Sequence, residues 1–136
     1  MVIVASSLLF SAAGIAAGDA DRDKLNGAWE SRGDAAARTS WTLWSNGDAL
    51  QITQVENDRT LVDFECNTVG RECDVKESGK PMKVSMWFNG PRLVVMETRG
   101  KDVVKRRFHT TGDANEIEME VIRIVPQGKP ELLRLY

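Results

Sequence analysis

The sequence predicts an all-β fold, a single up-and-down antiparallel meander that closes into a barrel of eight to ten strands. The main observation is the segment 82–125, where four runs of β-forming residues are separated by short turns built on Asn-Gly, Gly and Gly-Asp. Parallel strands need a crossover of a dozen or more residues, so connections this short join neighbouring antiparallel strands. Strands joined in this order bury their edges by closing, which favours a barrel over an open sheet.

Ten candidate strands follow one another along the chain, bounded by Gly, Pro, Asn and Asp residues. A tight hairpin turn is predicted at 46–48, where Asn-Gly-Asp follows the second strand, and the last turn is predicted at 126–130. The candidate strands span residues 27–30, 38–45, 49–56, 60–66, 74–76, 82–88, 92–98, 103–109, 115–125 and 131–136.

Composition limits the function classes. The 136 residues are enough for one domain with its own core, and 18 Lys and Arg against 20 Asp and Glu give a net charge of -2. The densest basic cluster, 105–107, lies in a predicted strand whose alternation sends its members to opposite faces. No run of five or six basic residues occurs, so nucleic acid is not an expected partner.

The N-terminal segment predicts export. Residues 1–18 carry no charge and pass from an apolar run to small residues, the pattern of a secretory signal peptide cleaved between Ala16 and Ala20. An uncleaved membrane anchor is the alternative, because this length is at the short limit for spanning. We expect a flexible linker at 19–24, the barrel at 25–136, a periplasmic or secreted location, and no membrane embedding after processing.

Cys66 and Cys73 are the two cysteines of the chain and flank the short segment 67–72. Cysteines on facing strands of one hairpin can reach bridging distance, and an oxidising compartment preserves the bond. A redox pair or a metal site is the alternative, but one His and no Cys-x-x-Cys argue against both. The sequence therefore predicts a structural disulfide, with no metal and no cofactor.

Four short motifs, in this order, resemble bacterial secreted lipocalin-like domains of unassigned function, in the calycin superfamily of lipocalins and fatty-acid-binding proteins. The motifs are Leu25-x-Gly27-x-Trp29, Gly70-Arg71-Glu72-Cys73, Trp87-Phe88-Asn89-Gly90, and a closing strand after Pro126-Gln127-Gly128. The resemblance gives Gly27 and Trp29 structural roles on the first strand and implies a small apolar or amphipathic ligand inside the barrel. The connector at 30–38 is too short for the two-helix lid of a fatty-acid-binding protein.

Strand alternation predicts which side chains point into the barrel. Met119 and Val121 alternate with three acids on the ninth strand, and the same parity brings Arg123 inward. On the eighth strand, Val104 and Phe108 bracket Arg106, which therefore also points inward. A charge facing an apolar interior needs a partner. A ligand carboxylate or phosphate is one source, and an interior acid, a backbone carbonyl or water is the other.

The remaining ligand candidates follow from the same patterns. Methionines suit an irregular ligand and equally suit plain core packing. The proposed apolar lining consists of Met82, Met86, Phe88, Met119 and Val121, with Met96 as a further adaptable side chain.

The end of the chain offers a second basic candidate. Fatty-acid-binding proteins hold the ligand carboxylate with Arg-x-Tyr on the last strand, and Arg134 and Tyr136 match this in type and place. In lipocalins a basic residue near the barrel end stacks on the first-strand Trp, which would put Arg134 over Trp29. A solvated Arg134 is the third alternative.

Catalysis is not expected. His109 is the one His, and neither a nucleophile–base signature nor a phosphate loop accompanies it. Three functions are left: a barrel that binds a small ligand, a filled barrel that binds a protein through loop 67–72, and a structural envelope module. An open interior cavity favours the first, and an interior filled by side chains favours the second.

Overall fold

The fold was analysed in a computed structural model, which describes residues 22–32 and 38–136. It contains ten strands in a meander, so the predicted all-β antiparallel class is confirmed. The strands are β1 (Gly27–Glu30), β2 (Thr39–Asn46), β3 (Ala49–Glu56), β4 (Arg59–Asn67), β5 (Cys73–Glu77), β6 (Lys80–Asn89), β7 (Arg92–Arg99), β8 (Asp102–Thr110), β9 (Ile117–Val125) and β10 (Glu131–Leu135).

The strands pair in two sheets instead of one continuous ladder. Strands β1 to β4 form a four-stranded sheet and β5 to β10 a six-stranded sheet, each with neighbours in chain order. Between β4 and β5 the described residues form no ladder, but the Ser78 amide donates to the Leu61 carbonyl at 2.9 Å. At the other seam, Glu30 and Tyr136 exchange two backbone hydrogen bonds of 3.0 Å each. The two sheets therefore meet at both seams through local contacts.

Both sheets contribute to one buried core. The predicted alternation is confirmed for Met82, Val84 and Met86 on β6 and for Ile117, Met119 and Val121 on β9, which are buried between more exposed residues. Trp41 of one sheet meets Phe108 of the other edge to face, with ring centroids 5.5 Å apart. The largest fully buried side chains are Phe108, Leu43, Ile52, Met86, Leu93, Ile117, Met119, Leu135 and Val84.

The start of β1 depends on a glycine. Gly27 has a φ of +144°, a conformation that residues with a side chain rarely adopt. A Cβ there would lie 3.7 Å from the Trp29 ring, and the Trp29 Nε1 donates to the Leu25 carbonyl at 2.8 Å. Gly27 and Trp29 thus occupy a tightly constrained entry to the barrel.

The predicted disulfide is present between Cys66 and Cys73, whose Cα atoms are 6.1 Å apart. Cys66 is near the end of β4 and Cys73 begins β5, so the bond crosses the seam at which the ladder is interrupted. Within the enclosed loop, Asn67 Oδ1 accepts hydrogen bonds from the amides of Val69 and Arg71 at 3.2 and 3.1 Å. The disulfide therefore links β4 and β5 covalently at the seam where these strands do not pair.

The predicted signal segment 1–18 and residues 19–21 of the predicted linker lie outside the described residues, as does the middle of the connector 30–38. Within residues 22–32 and 38–136, no helix combines the length and hydropathy that a transmembrane span requires.

Reducing the disulfide should lower the melting temperature. Opening a ring this short releases about 2.5 kcal/mol of unfolded-state constraint on the chain-entropy model, or roughly 10 °C for a domain of this size. Thermal unfolding followed by circular dichroism with and without reductant measures the shift. The double variant Cys66→Ala/Cys73→Ala is the control and should be insensitive to reductant; equal melting temperatures for the oxidised and reduced native protein would contradict the stabilising role.

Candidate functional site

A cavity of about 320 Å³ lies at one end of the barrel, where β3, β5, β7 and β9 end; we call this end the mouth. Polar and charged side chains from both sheets surround it. Its lining residues are Gln54, Glu56, Leu61, Glu77, Ser78, Arg99, Val104, Arg106, Val121 and Arg123.

Strand alternation brings the charged groups to the mouth. On β7 the side chains of Leu93 and Val95 are buried in the core, and Glu97 and Arg99 continue the same face toward the end of the strand. Across the ladder, Glu97 is opposite Val104, and Val104 is opposite Arg123. The inward face is therefore apolar in the middle of the barrel and charged at the mouth.

Glu97 is the centre of an ion-pair network. It is only 4% exposed, and its two carboxylate oxygens accept from Arg99 Nη2 and Arg106 Nε, each at 2.5 Å. Arg99 also forms a two-point contact with Glu77, at 2.7 Å from Nε and 2.5 Å from Nη2. Two acids thus hold two guanidinium groups, which is the pairing that buried charges require.

The network keeps Arg99 charged. Burial by itself would lower the pKa of Arg99, but the hydrogen bonds and charges of Glu77 and Glu97 outweigh burial and raise the pKa above its ordinary value. The guanidinium of Arg99 is therefore a permanent cation at the mouth.

Arg106 points inward, as the alternation of β8 predicts. Its guanidinium carbon lies 5.0 Å from the centroid of the Trp41 ring, and Nη1 is 4.0 Å from the Met119 sulfur. Its charge is balanced by Glu97. Of the two sources of a partner considered for Arg106, the interior acid is the one present.

Arg123 differs from Arg106 because it has no acid within ion-pair distance among residues 22–32 and 38–136. Its side chain lines the cavity but is exposed, so it lies at the outer edge of the mouth. The stem packs on Gly128, where an added Cβ would be 3.0 Å from the Arg123 Cδ. Arg123 is thus a positioned guanidinium whose charge remains available.

The four-stranded sheet supplies the opposite wall. Gln54 and Glu56 are on the same face of β3, and Gln54 is only 8% exposed. The ladder between β3 and β4 shifts register after Gln54, which leaves Leu61 as an extra residue on β4. This bulge places Leu61 among the residues that line the cavity.

The predicted apolar lining is only partly at the mouth. Val121 lines the cavity and Met119 lies beneath it against Arg106. Met82 and Met86 are buried in the core away from this cavity, and Phe88 is half-buried under the guanidinium of Arg22.

Met96, the further methionine of the proposed lining, does not point inward. It alternates with the buried Val95 and Glu97, so its side chain is on the other face of β7.

Arg134 and Tyr136 are on the outer face of β10. Leu135, between them, is 1% exposed and points into the core, so alternation sends its neighbours outward. The Arg134 side chain is 61% exposed and its Nε is 3.8 Å from Glu118. The stacking on Trp29 and the interior carboxylate contact are therefore both absent, and the solvated alternative for Arg134 is the one observed.

His109 is on the outer face of β8, with Nε2 2.8 Å from a Glu118 carboxylate oxygen. Residues 22–32 and 38–136 contain no group of three or more His, Cys, Asp or Glu side chains that could hold a metal ion.

The sequence prediction missed the groups that complete the site: Glu77, Glu97, Arg99 and Gln54. The signal for Glu97 and Arg99 is present in the odd positions of β7, which share the face of Leu93 and Val95. The apolar run from Leu93 to Met96 hides this signal, because both faces of β7 carry apolar residues there.

The fold is similar to that of several solved structures. A Schistosoma mansoni fatty acid binding protein in complex with arachidonic acid matches with a TM-score of 0.69 and 13% identity, over 85% of this chain and 96% of that one. The REP1-NXSQ fatty acid transporter gives 0.66 and 15%, over 82% and 93%. Secretory abundant heat soluble protein 4 from Ramazzottius varieornatus gives 0.66 and 12%, over 83% and 94%. No protein-family model and no curated protein matches the chain.

Removing the charge of Glu97 should destabilise the fold. Glu97→Gln leaves two guanidinium groups at the mouth with only Glu77 as an acid partner, and breaking a buried ion pair typically costs about 3 kcal/mol. Urea unfolding measures the change. Glu120→Gln is the matched control, because its partner Arg107 is on the outer face of the same sheet and such pairs contribute about 1 kcal/mol or less. Equal effects of the two substitutions would show that Glu97 has no special role.

Proposed function

We propose that this protein binds a small amphipathic molecule whose anionic head group occupies the mouth cavity. The observation that carries the proposal is the open cavity at the mouth with three guanidinium groups, of which Arg123 has no acid partner among the described residues. The middle of the barrel is filled by side chains. A guanidinium grips a carboxylate or phosphate with two parallel hydrogen bonds. An incoming anion would therefore bind first to Arg123.

Arg106 is close enough to contribute to the same head group. Arg106 is opposite Val121 and Arg123 is opposite Val104, so the two arginines are diagonal neighbours on adjacent strands. Long side chains reach each other across this diagonal. Because Glu97 already neutralises Arg106, Arg106 would contribute a hydrogen-bond donor in a fixed direction more than a net positive charge.

The size and apolar part of the cavity fit a modest ligand. A volume of about 320 Å³ is at the lower end of the usual range of small-molecule sites, roughly 300 to 1,000 Å³. Leu61, Val104 and Val121 supply apolar surface beside the charges. Met119 lies just below, and its flexible side chain can adjust to a short alkyl segment.

Two of the similar structures support a lipid-like ligand. One is a fatty acid transporter and the other is a fatty acid binding protein in complex with arachidonic acid. A carboxylate with one short alkyl tail is the ligand class that agrees both with these similar structures and with the charges at the mouth of this protein.

Binding, and not catalysis, is the proposed activity. The polar residues at the mouth carry guanidinium groups, carboxylates, an amide and the hydroxyl of Ser78, while His109 is on the outer face. We also propose export, supported by the Cys66–Cys73 disulfide, which persists in oxidising compartments. Fractionation of the native host with N-terminal sequencing tests this: a mature start near residue 19 is expected, and a cytosolic protein that retains residues 1–18 would contradict it.

A protein-binding function through loop 67–72 is the second candidate. The loop is closed by the disulfide, and Val69 at its tip is 60% exposed. A rigid loop that presents an apolar side chain suits a protein contact.

Arg123→Gln should weaken decanoate binding about tenfold and leave decanol binding unchanged, because only the carboxylate uses the charge. Isothermal titration calorimetry measures both affinities. Arg134→Gln removes the same charge from the outer face and is the matched control, expected to bind both ligands like the native protein. An equal loss for decanoate and decanol would indicate a packing role for Arg123, and no binding of decanoate by the native protein would overturn the proposal.

A further inference from the structure

The wall of the cavity that faces the arginines carries an amide without a partner among the described residues. Gln54 is 8% exposed and its side chain lines the mouth cavity. Its side-chain amide forms no hydrogen bond with any residue in the described part of the chain, 22–32 and 38–136. The amide oxygen and nitrogen are not themselves fully buried, so they open to the cavity and can take a partner from outside the protein chain.

A second polar group beside Gln54 is also unsatisfied. Trp41 is the cross-strand partner of Gln54, it is 3% exposed, and its Nε1 is buried with no acceptor among the described residues. Leaving one such group unpaired is costly, and two adjacent ones on the same inward face are unusual. The inward face of β2 and β3 therefore has hydrogen-bonding capacity that the described residues do not use, and of these two groups it is Gln54 that lines the cavity.

Glu56 influences which polar groups of a ligand can bind at this wall. It follows Gln54 by two residues on β3 and lines the same cavity. Its carboxylate repels a ligand anion and accepts a hydrogen bond, so the wall formed by Gln54 and Glu56 disfavours an acid group and favours a donor. The ligand carboxylate is thereby directed to the opposite wall, where Arg106 and Arg123 are.

We infer that the ligand is a hydroxy acid, whose carboxylate faces Arg123 while a nearby hydroxyl meets the Gln54 amide; this rests on the proposed function. A hydroxyl both donates and accepts, which matches both halves of the amide. An ammonium group would only donate and would leave the Gln54 amino group unpaired. The two sheets would then each recognise one polar group of the same head group.

Calorimetry with decanoate and 3-hydroxydecanoate tests the inference. The native protein should bind the hydroxy acid about tenfold more tightly, the usual value of one hydrogen bond to a buried group. Gln54→Met, which keeps the length of the side chain and removes the amide, should bind the two acids equally. Gln51→Met is the matched control on the outer face of β3 and should keep the preference.

The outcomes separate the two proposals. Equal affinity of the native protein for the two acids would mean that water satisfies Gln54, which overturns this inference and leaves the proposed function in place. A preference retained in Gln54→Met would also overturn it, because recognition of the hydroxyl would then lie elsewhere. No binding of either acid would overturn both proposals. If Gln54→Met fails to fold by circular dichroism, the comparison of the two acids on the native protein decides alone.

Discussion

The buried carboxylate of Glu97 is the interaction on which the rest of the mouth depends. Two guanidinium groups point into a barrel whose core is otherwise apolar, and neither could remain there without an acid. Because Glu97 bridges Arg99 and Arg106, it links the end of β7 to β8, and Arg99 extends the link to Glu77 on β5. One residue thus connects three strands of the six-stranded sheet at the point where their apolar packing ends.

The network also determines the electrostatic character of the cavity. Ion pairing balances the positive charges of Arg99 and Arg106, and Glu56 adds a further acid on the opposite wall. The mouth is therefore not a general anion-binding site. It has a cationic side that ends in Arg123 and an accepting side formed by Gln54 and Glu56, and a ligand must match both sides at once. Such two-sided matching provides more discrimination than charge alone.

The sequence predicted the fold and part of the site because both depend on local signals. Short turns determine which strands pair, and clean alternation on β8 and β9 placed Arg106, Met119 and Val121 correctly. Prediction failed where the signal was not local. The interrupted ladder between β4 and β5 is a property of the whole barrel, and the outward position of Arg134 depends on the burial of its neighbour Leu135.

The partners of a buried charge are the hardest part to predict. An arginine that points inward predicts an acid nearby. Which acid it is depends on strand register, and register cannot be read from a single sequence. Glu97 comes next to Arg106 because Val95 is opposite Arg106, which puts the two charged side chains on the same face at a diagonal. A one-residue slip of β7 would turn Glu97 outward and leave Arg106 unpaired.

The similarity to fatty-acid-binding structures does not identify the ligand of this chain, which depends on the chain's own side chains. TM-scores of 0.66–0.69 show a similar fold, but identities of 12–15% mean that few specific residues are shared. The Arg-x-Tyr triplet that resembles a carboxylate clamp is on the outer face, so the clamp, if the barrel has one, must be built from other residues. Arg123 on one sheet and Gln54 on the other are polar groups of the cavity whose side chains have no partner among residues 22–32 and 38–136. A shared barrel can thus hold a differently constructed site, because strand pairing constrains the backbone and leaves the inward side chains at its ends free to change.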